Sequence, residues 1–380
     1  VGNSWPQGVP PAPKMWWPTA LRSLGRAQTV AGRVAGRVNV SISSSLCRRD
    51  MFAPASRLLG ERFFSSGETT PPPRAAQPRR AILYAPGSSE KMMRKAAGLP
   101  VDTACLDLED AVAPSKKAAA RDLVVELMGS LDFGSTELAV RVNGPTSDHM
   151  EEDLRAVLSA KRLPDAVVVP KLESCEELRF LFDRAAKHLP GGGEGGGRPP
   201  SLITMVESAM GLLNLRAVFD QAVAGGKYAP LHLEACIFGG DDYCNDVHAT
   251  PQPGRTELLM ARQQVVATCR AYGLQPIDIV RIDFKDSVAL ELEAREGAGM
   301  GFAGKQIIHP GQIAPVHHAF TPHEDAVAYA RGLVHAAEEA AWRGEGAFDY
   351  HGKMIDRPTV LNCTRLVARA DAIRRKGHVH

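Results

Sequence analysis

The feature that most constrains the fold of this chain is a repeat of short apolar runs, each stopped by a polar or charged residue and followed by an amphipathic stretch. Leu202–Val206 ends at Glu207, passes through Ser208 and Ala209, and enters an apolar helical segment after Gly211. Ala235–Asp246, ACIFGGDDYCND, repeats the pattern with two glycines before its acids. A brief apolar run that halts at a charge and turns into a helix marks a βα corner of a parallel α/β fold. Eight such runs are present: Ala81–Ala85, Thr103–Leu108, Leu138–Val142, Ala166–Pro170, Leu202–Val206, Ala235–Phe238, Ile277–Ile282 and Lys305–Ile308. Helical stretches such as Lys116–Met128, Met150–Ser159, Cys175–His188 and Glu257–Tyr272 separate them. Eight alternations over roughly 230 residues predict a (β/α)8 TIM barrel. A doubly wound sheet calls for a glycine-rich phosphate turn after its first strand. AILYAPGSSEK offers one glycine there.

Polar residues gather where these strands end: Tyr84, then Asp107, Glu109 and Asp110, then Arg141 and Asn143, Lys171 and Glu173, Glu207, Asp241 and Asp242, Asp283, and His309. A barrel carries its chemistry on that face, one or two residues from each strand. Glu207 and Asp242 stand on consecutive strands. Either alone could cap the following helix. Together they suit one hard cation, and an oxygen-only donor pair without nearby Cys or His selects Mg2+. Arg141 closes an otherwise apolar strand. It is either an ion pair with Glu109 or Asp110 or a fork for a substrate anion, and a neighbouring metal site favours the fork. On spacing alone Lys91 reads as an ordinary exposed lysine and His309 as a satisfied core histidine. Asp356 before Pro358 reads as the N-cap of a last helix.

The seven cysteines form no CxxC pair, which points to a reducing compartment. No apolar run reaches membrane-spanning length. Residues 1–64 hold nine of the 45 Lys and Arg but two of the 43 Asp and Glu, so the remainder is mildly acidic. That balance argues against nucleic acid as a partner. The Arg- and Ser-rich start, with Arg22, Arg26, Arg33 and Arg37 at helical spacing, predicts a mitochondrial transit peptide, translation from Met15 and a matrix location. The expected organisation is a transit peptide and linker over 1–78, a catalytic barrel over 79–320 and a C-terminal helical extension over 321–380. Residues 190–200, PGGGEGGGRPP, read as a surface insertion.

The motifs AILYAPGSSEK, CLDLEDAVAPSKK, AVRVN, VVPKLES, MVESAMGLLN, IFGGDDY, IDIVRIDFKD, GMGFAGKQIIHP and GAFDYHGKMID occur in this order. In them the chain resembles the citrate-lyase β-subunit family of Mg2+-dependent acyl-CoA lyases, from Arg80 to about Lys376. The resemblance implies a trimer of barrels, Mg2+ on Glu207 and Asp242, and substrate contacts at Tyr84, Lys91, Arg141, Ile308 and His309. It makes Asp356 a catalytic residue carried into a neighbouring subunit's site, against the N-cap reading. Asp241 departs from the family, whose members often have Glu there. The implied reaction is reverse Claisen cleavage of a CoA thioester, (3S)-citramalyl-CoA, to acetyl-CoA and pyruvate. Malyl-CoA cleavage, malate synthesis and a non-catalytic CoA-ester-binding barrel are the alternatives.

Overall fold

Alternation along each strand decides what faces the barrel axis. Inward go Ile82, Cys105, Ala139, Ala166, Val168, Ile203, Met205, Ala235, Ile237 and Ile277, a closed apolar cluster. Outward go Leu83, Leu106, Val140, Val167, Leu202 and Cys236, which join the larger core under the helices. The computed structural model describes residues 77–189, 199–226 and 229–377. Its eight parallel strands close in sequence order, β1 pairing with both β2 and β8. They are β1 Ala81–Pro86, β2 Thr103–Asp107, β3 Glu137–Arg141, β4 Ala166–Val169, β5 Ser201–Val206, β6 His232–Phe238, β7 Gln275–Asp278 and β8 Gly304–Ile307. This is the (β/α)8 TIM barrel that the sequence predicts.

The helices that follow are α1 Glu90–Ala97, α2 Lys117–Ser130, α3 Met150–Leu158, α4 Cys175–His188, α5 Ala209–Ala224, α6 Gly240–Asp246, α7 Leu259–Ala271, α8 Ser287–Met300 and α9 Ile313–Phe320. Most strand limits differ from expectation by one to three residues, and two differences are larger. The seventh strand stops at Asp278 rather than Ile282. The Asp278 carboxylate turns outward onto Arg262 at 2.8 and 3.0 Å, and Arg281 pairs with Glu293 and Asp286, which draws the chain away from the sheet. Asp283 therefore lies in a loop beyond the strand end. The acids read as ending the sixth strand, Asp241 and Asp242, lie instead in the first turn of α6, with Gly239 as its N-cap.

Beyond the barrel, α10 Glu324–Trp342 and α11 Arg357–Lys376 pack against each other, joined by a hairpin of β9 Phe348–Tyr350 and β10 Lys353–Ile355. By sequence this connector, residues 344–355, reads as turn-rich. Its strands are three residues each, too short for a period-two signal. The C-terminal half of α11 docks at the end of the barrel where strands begin. Arg369 donates to the carbonyls of Ala303 and Phe320 at 3.2 and 2.7 Å, and Lys376 donates to the carbonyl of Asp102. Buried pairs close the same end: Arg79 with Glu137 and Glu234, and Arg80 with Asp102. The expected transit peptide and the core of the insertion, residues 1–76 and 190–198, lie outside the described residues. No helix among the described residues is long and apolar enough to cross a membrane.

Burial pushes the Lys376 amine down to about 8. Below that pH the fold holds a buried ammonium. Between about 8 and 10.5 the unfolded chain binds the proton more tightly than the fold, so stability rises with pH. Urea melts from pH 7.5 to 10.5 should show that rise in the wild type, by about 1–3 kcal/mol, and a flatter profile in Lys376→Met.

Candidate active site

One step above the apolar inward layer, the same alternation turns polar side chains into the barrel mouth. Two residues beyond Ile82, Cys105, Ala139 and Met205 come Tyr84, Asp107, Arg141 and Glu207, all inward. The step beyond Ile237 is Gly239. A Cβ there would lie 2.6 Å from the Glu207 Cγ, so glycine makes the room that Glu207 occupies. At Gly240 a Cβ would meet Ile279 at 2.7 Å, which fixes the start of α6 and with it Asp242 in the first turn.

Arg141 is held on three sides. Its Nε and Nη2 donate to the two oxygens of Asp107, each at 2.7 Å, and its Nη1 lies 2.8 Å from Glu109. Asp110, the other acid that the sequence offers as a partner, is 3.7 Å away. The ion-pair and fork readings are therefore compatible: a guanidinium has five N–H groups, and the two hydrogen bonds to Asp107 leave N–H groups on both Nη atoms for an incoming anion. The Tyr84 ring packs under the guanidinium, 4.7 Å from centroid to Cζ, and its hydroxyl donates to Gln306 at 3.1 Å. Asn143 is tied to Lys117 at 2.6 Å and to Asp153 at 2.6 Å, which anchors the loop after β3.

Glu207 is the least compensated charge of the mouth. It is 5% exposed and accepts a hydrogen bond of 2.8 Å from the Lys171 N–H. Burial, then the negative charges of Glu109 and Asp242, push its carboxyl up to about 8. Asp242, more open to water, is also raised, first by its partial burial. Acids crowded in this way bind a dication by relieving their own repulsion. The donor set is oxygen only. Among the described residues no group of three or more His, Cys, Asp or Glu forms a metal cage. Two carboxylates with open positions fit the habit of Mg2+, which keeps several waters or substrate oxygens.

The remaining expected residues sit apart from this cluster. Lys91 is exposed in the first turn of α1, the helix end nearest the mouth. Ile308 is half-exposed just past β8. His309 is no core residue: its ring stacks on Phe284 at 4.5 Å and its Nδ1 accepts the Gly311 N–H. Asp356 is not at this mouth. It caps α11, accepting from the Thr359 N–H at 3.1 Å and hydroxyl at 2.7 Å. Sequence reasoning missed Gln306 and Lys117. A glutamine inside the strand GKQI was the available signal, since a polar side chain there must find a partner.

A family model described as HpcH/HpaI aldolase/citrate lyase matches residues 80–310, the span that carries every barrel strand. The chain belongs to this family. The human mitochondrial citramalyl-CoA lyase is 43% identical over 79% of this chain and 87% of its own length. The L-malyl-CoA/beta-methylmalyl-CoA lyase of Cereibacter sphaeroides is 32% identical over 80% and 98%. Among solved structures, the Mycobacterium tuberculosis CitE protein in complex with magnesium, acetoacetate and coenzyme A superposes with a TM-score of 0.59. It is 26% identical and covers 77% of this chain and 98% of its own. Both of these curated relatives are named lyases, and the chain is an enzyme of the carbon–carbon lyase class.

The raised Glu207 carboxyl gives a signed prediction. Without metal, the fold keeps a proton that the unfolded chain releases above its ordinary pKa near 4.5, so this residue destabilises the fold progressively as pH rises to about 8. Glu207→Gln removes that effect. With EDTA present at pH 8 its melting temperature should exceed that of wild type by about 2–6 °C, with the gap closing by pH 5. Adding Mg2+ should raise only the wild type.

Proposed function

We propose that the chain cleaves (3S)-citramalyl-CoA to acetyl-CoA and pyruvate in the mitochondrial matrix, with Mg2+ held by Glu207 and Asp242. The observation that carries this reading is the buried Glu207, crowded by acids and set beside an Arg141 that keeps N–H groups on both Nη atoms for an anion. The relative at 43% identity supports the citramalyl substrate over malyl-CoA. The two differ by one methyl, worth about 1–3 kcal/mol in a pocket.

Bound Mg2+ supplies Lewis-acid polarisation of the substrate's oxygens. Arg141 donates its remaining N–H groups to the substrate where negative charge gathers, and Tyr84 beneath keeps the fork upright. Lys91, Ile308 and His309 line the rim where the CoA thioester enters. Asp356 takes the proton of the substrate hydroxyl. The C–C bond then breaks toward the thioester, leaving pyruvate and an enolate. The same proton, returned to the enolate carbon, gives acetyl-CoA.

We assign Asp356 to a neighbouring subunit's mouth in a homotrimer. Its own helix supports this, because α11 docks by its far end where the barrel strands begin, opposite to the mouth. Capping by the Thr359 side chain and N–H holds the carboxyl below the ordinary aspartate range. Leaving water for a substrate-filled site would raise it toward a working base.

Purified protein should release pyruvate from citramalyl-CoA, and EDTA should abolish this until Mg2+ is restored. No pyruvate with Mg2+ present would reject the reading. Asp356→Ala and Glu207→Gln should each lose at least about a hundredfold in kcat. Mixed and reassembled, the two inactive variants should regain activity, because some trimers then contain a site with both residues intact. Failure of well-formed mixed trimers to recover would return Asp356 to a capping role.

A further inference from the structure

Lys171 follows β4 and Pro170, and its backbone is left-handed, with φ at 54°. That conformation is disfavoured for a residue with a Cβ, so the surroundings must hold it. They do so from several directions. Gly144 brings its backbone close: a Cβ there would lie 3.2 Å from the Pro170 carbonyl oxygen and 3.4 Å from the Lys171 Cβ. Two residues on, Glu173 accepts a hydrogen bond from Ser208, the cap of α5.

The turn delivers two contacts, each to a different part of the site. The Lys171 main-chain N–H donates to Glu207 Oε2 at 2.8 Å. Its ammonium donates to Glu109 Oε1 at 2.7 Å and lies 3.7 Å from Asp110. The other oxygen of Glu109 is the one 2.8 Å from Arg141 Nη1. Because φ turns the chain that follows the N–H, an ordinary right-handed or extended residue here could not meet both the strand before it and the Glu173–Ser208 contact after it, and the peptide that faces Glu207 would have to shift.

We propose that Lys171 is a positioning residue that joins the two halves of the site. Its main chain aims Glu207 at the cation, and its ammonium fixes Glu109 and through it the open edge of Arg141. This deepens the reading above and rests on it, since it takes Glu207 as a metal ligand and Arg141 as the anion fork.

The two contacts separate by substitution. Lys171→Gly keeps the left-handed turn and its N–H, whereas a β-branched Lys171→Val opposes it. Titrated with Mn2+ alone and read by electron paramagnetic resonance, Lys171→Gly should bind within threefold of wild type and Lys171→Val at least tenfold more weakly. Equal affinities in the two would overturn the main-chain half. If Lys171→Val does not fold, a Lys171→Gly affinity tenfold below wild type overturns it instead. Lys171→Met removes only the ammonium. It should bind Mn2+ within threefold of wild type yet raise KM for citramalyl-CoA at least tenfold, and Lys171→Arg should restore KM to within threefold. A wild-type KM in Lys171→Met, or no rescue by arginine, would overturn the side-chain half. A purely structural role would instead move Mn2+ affinity and KM together. If wild-type protein binds Mn2+ without cleaving the thioester, only the lyase reading falls, and the same comparison is made on the Kd of pyruvate for the Mn2+-loaded protein. No Mn2+ binding by wild type would defeat both.

Discussion

A carboxylate that a protein buries without a full set of partners needs a reason to be there, and Glu207 is the one around which this structure is arranged. Its position follows from strand alternation, its room from Gly239, and its hydrogen bond from the left-handed turn at Lys171. Burial and the neighbouring Glu109 and Asp242 make its charge unfavourable in isolation. A divalent cation bound there would offset that repulsion and turn a local instability into a binding site. The lower barrel is the rigid support. Its apolar inward layer excludes water beneath the mouth, and ion pairs between Arg79, Glu137 and Glu234, and between Arg80 and Asp102, lock the opposite end.

The charge pattern of the mouth divides the work between its cations. Arg141 and Lys171 are both occupied by acids of the chain, so neither is a free point charge. Arg141 gives two of its N–H groups to Asp107, pairs by charge with Glu109 and retains the rest. Such an arginine is fixed in orientation before an anion arrives, and little side-chain entropy is lost on binding. This preorganisation is what stabilisation of a developing oxyanion requires.

The barrel and its mouth were legible in the sequence because their signal is periodic. Apolar runs spaced by amphipathic helices define eight strands, and Tyr84, Asp107, Arg141 and Glu207, which end four of those runs, fall on the same face. Local spacing could not show what depends on the third dimension. The seventh strand ended early because Asp278 meets Arg262 on another element. The β9–β10 hairpin was too short to register. His309 reads like a core residue in one dimension, yet the fold stacks it on Phe284. Asp356 is the clearest case. Its local chemistry gives a helix cap, and the structure contains that cap. Any role beyond it depends on an assembly that no local pattern describes. Lys171 was visible only as one more charge at a strand end, since nothing in its sequence context announces a positive φ.

The central claim is that Glu207 and Asp242 share one divalent cation at the barrel mouth. Anomalous diffraction from a crystal grown or soaked with Mn2+ tests it most directly. The account predicts a single strong peak within coordinating distance of both carboxylates, absent from Glu207→Gln crystals treated alike. A peak bound elsewhere, or a mouth without one at saturating Mn2+, would contradict it.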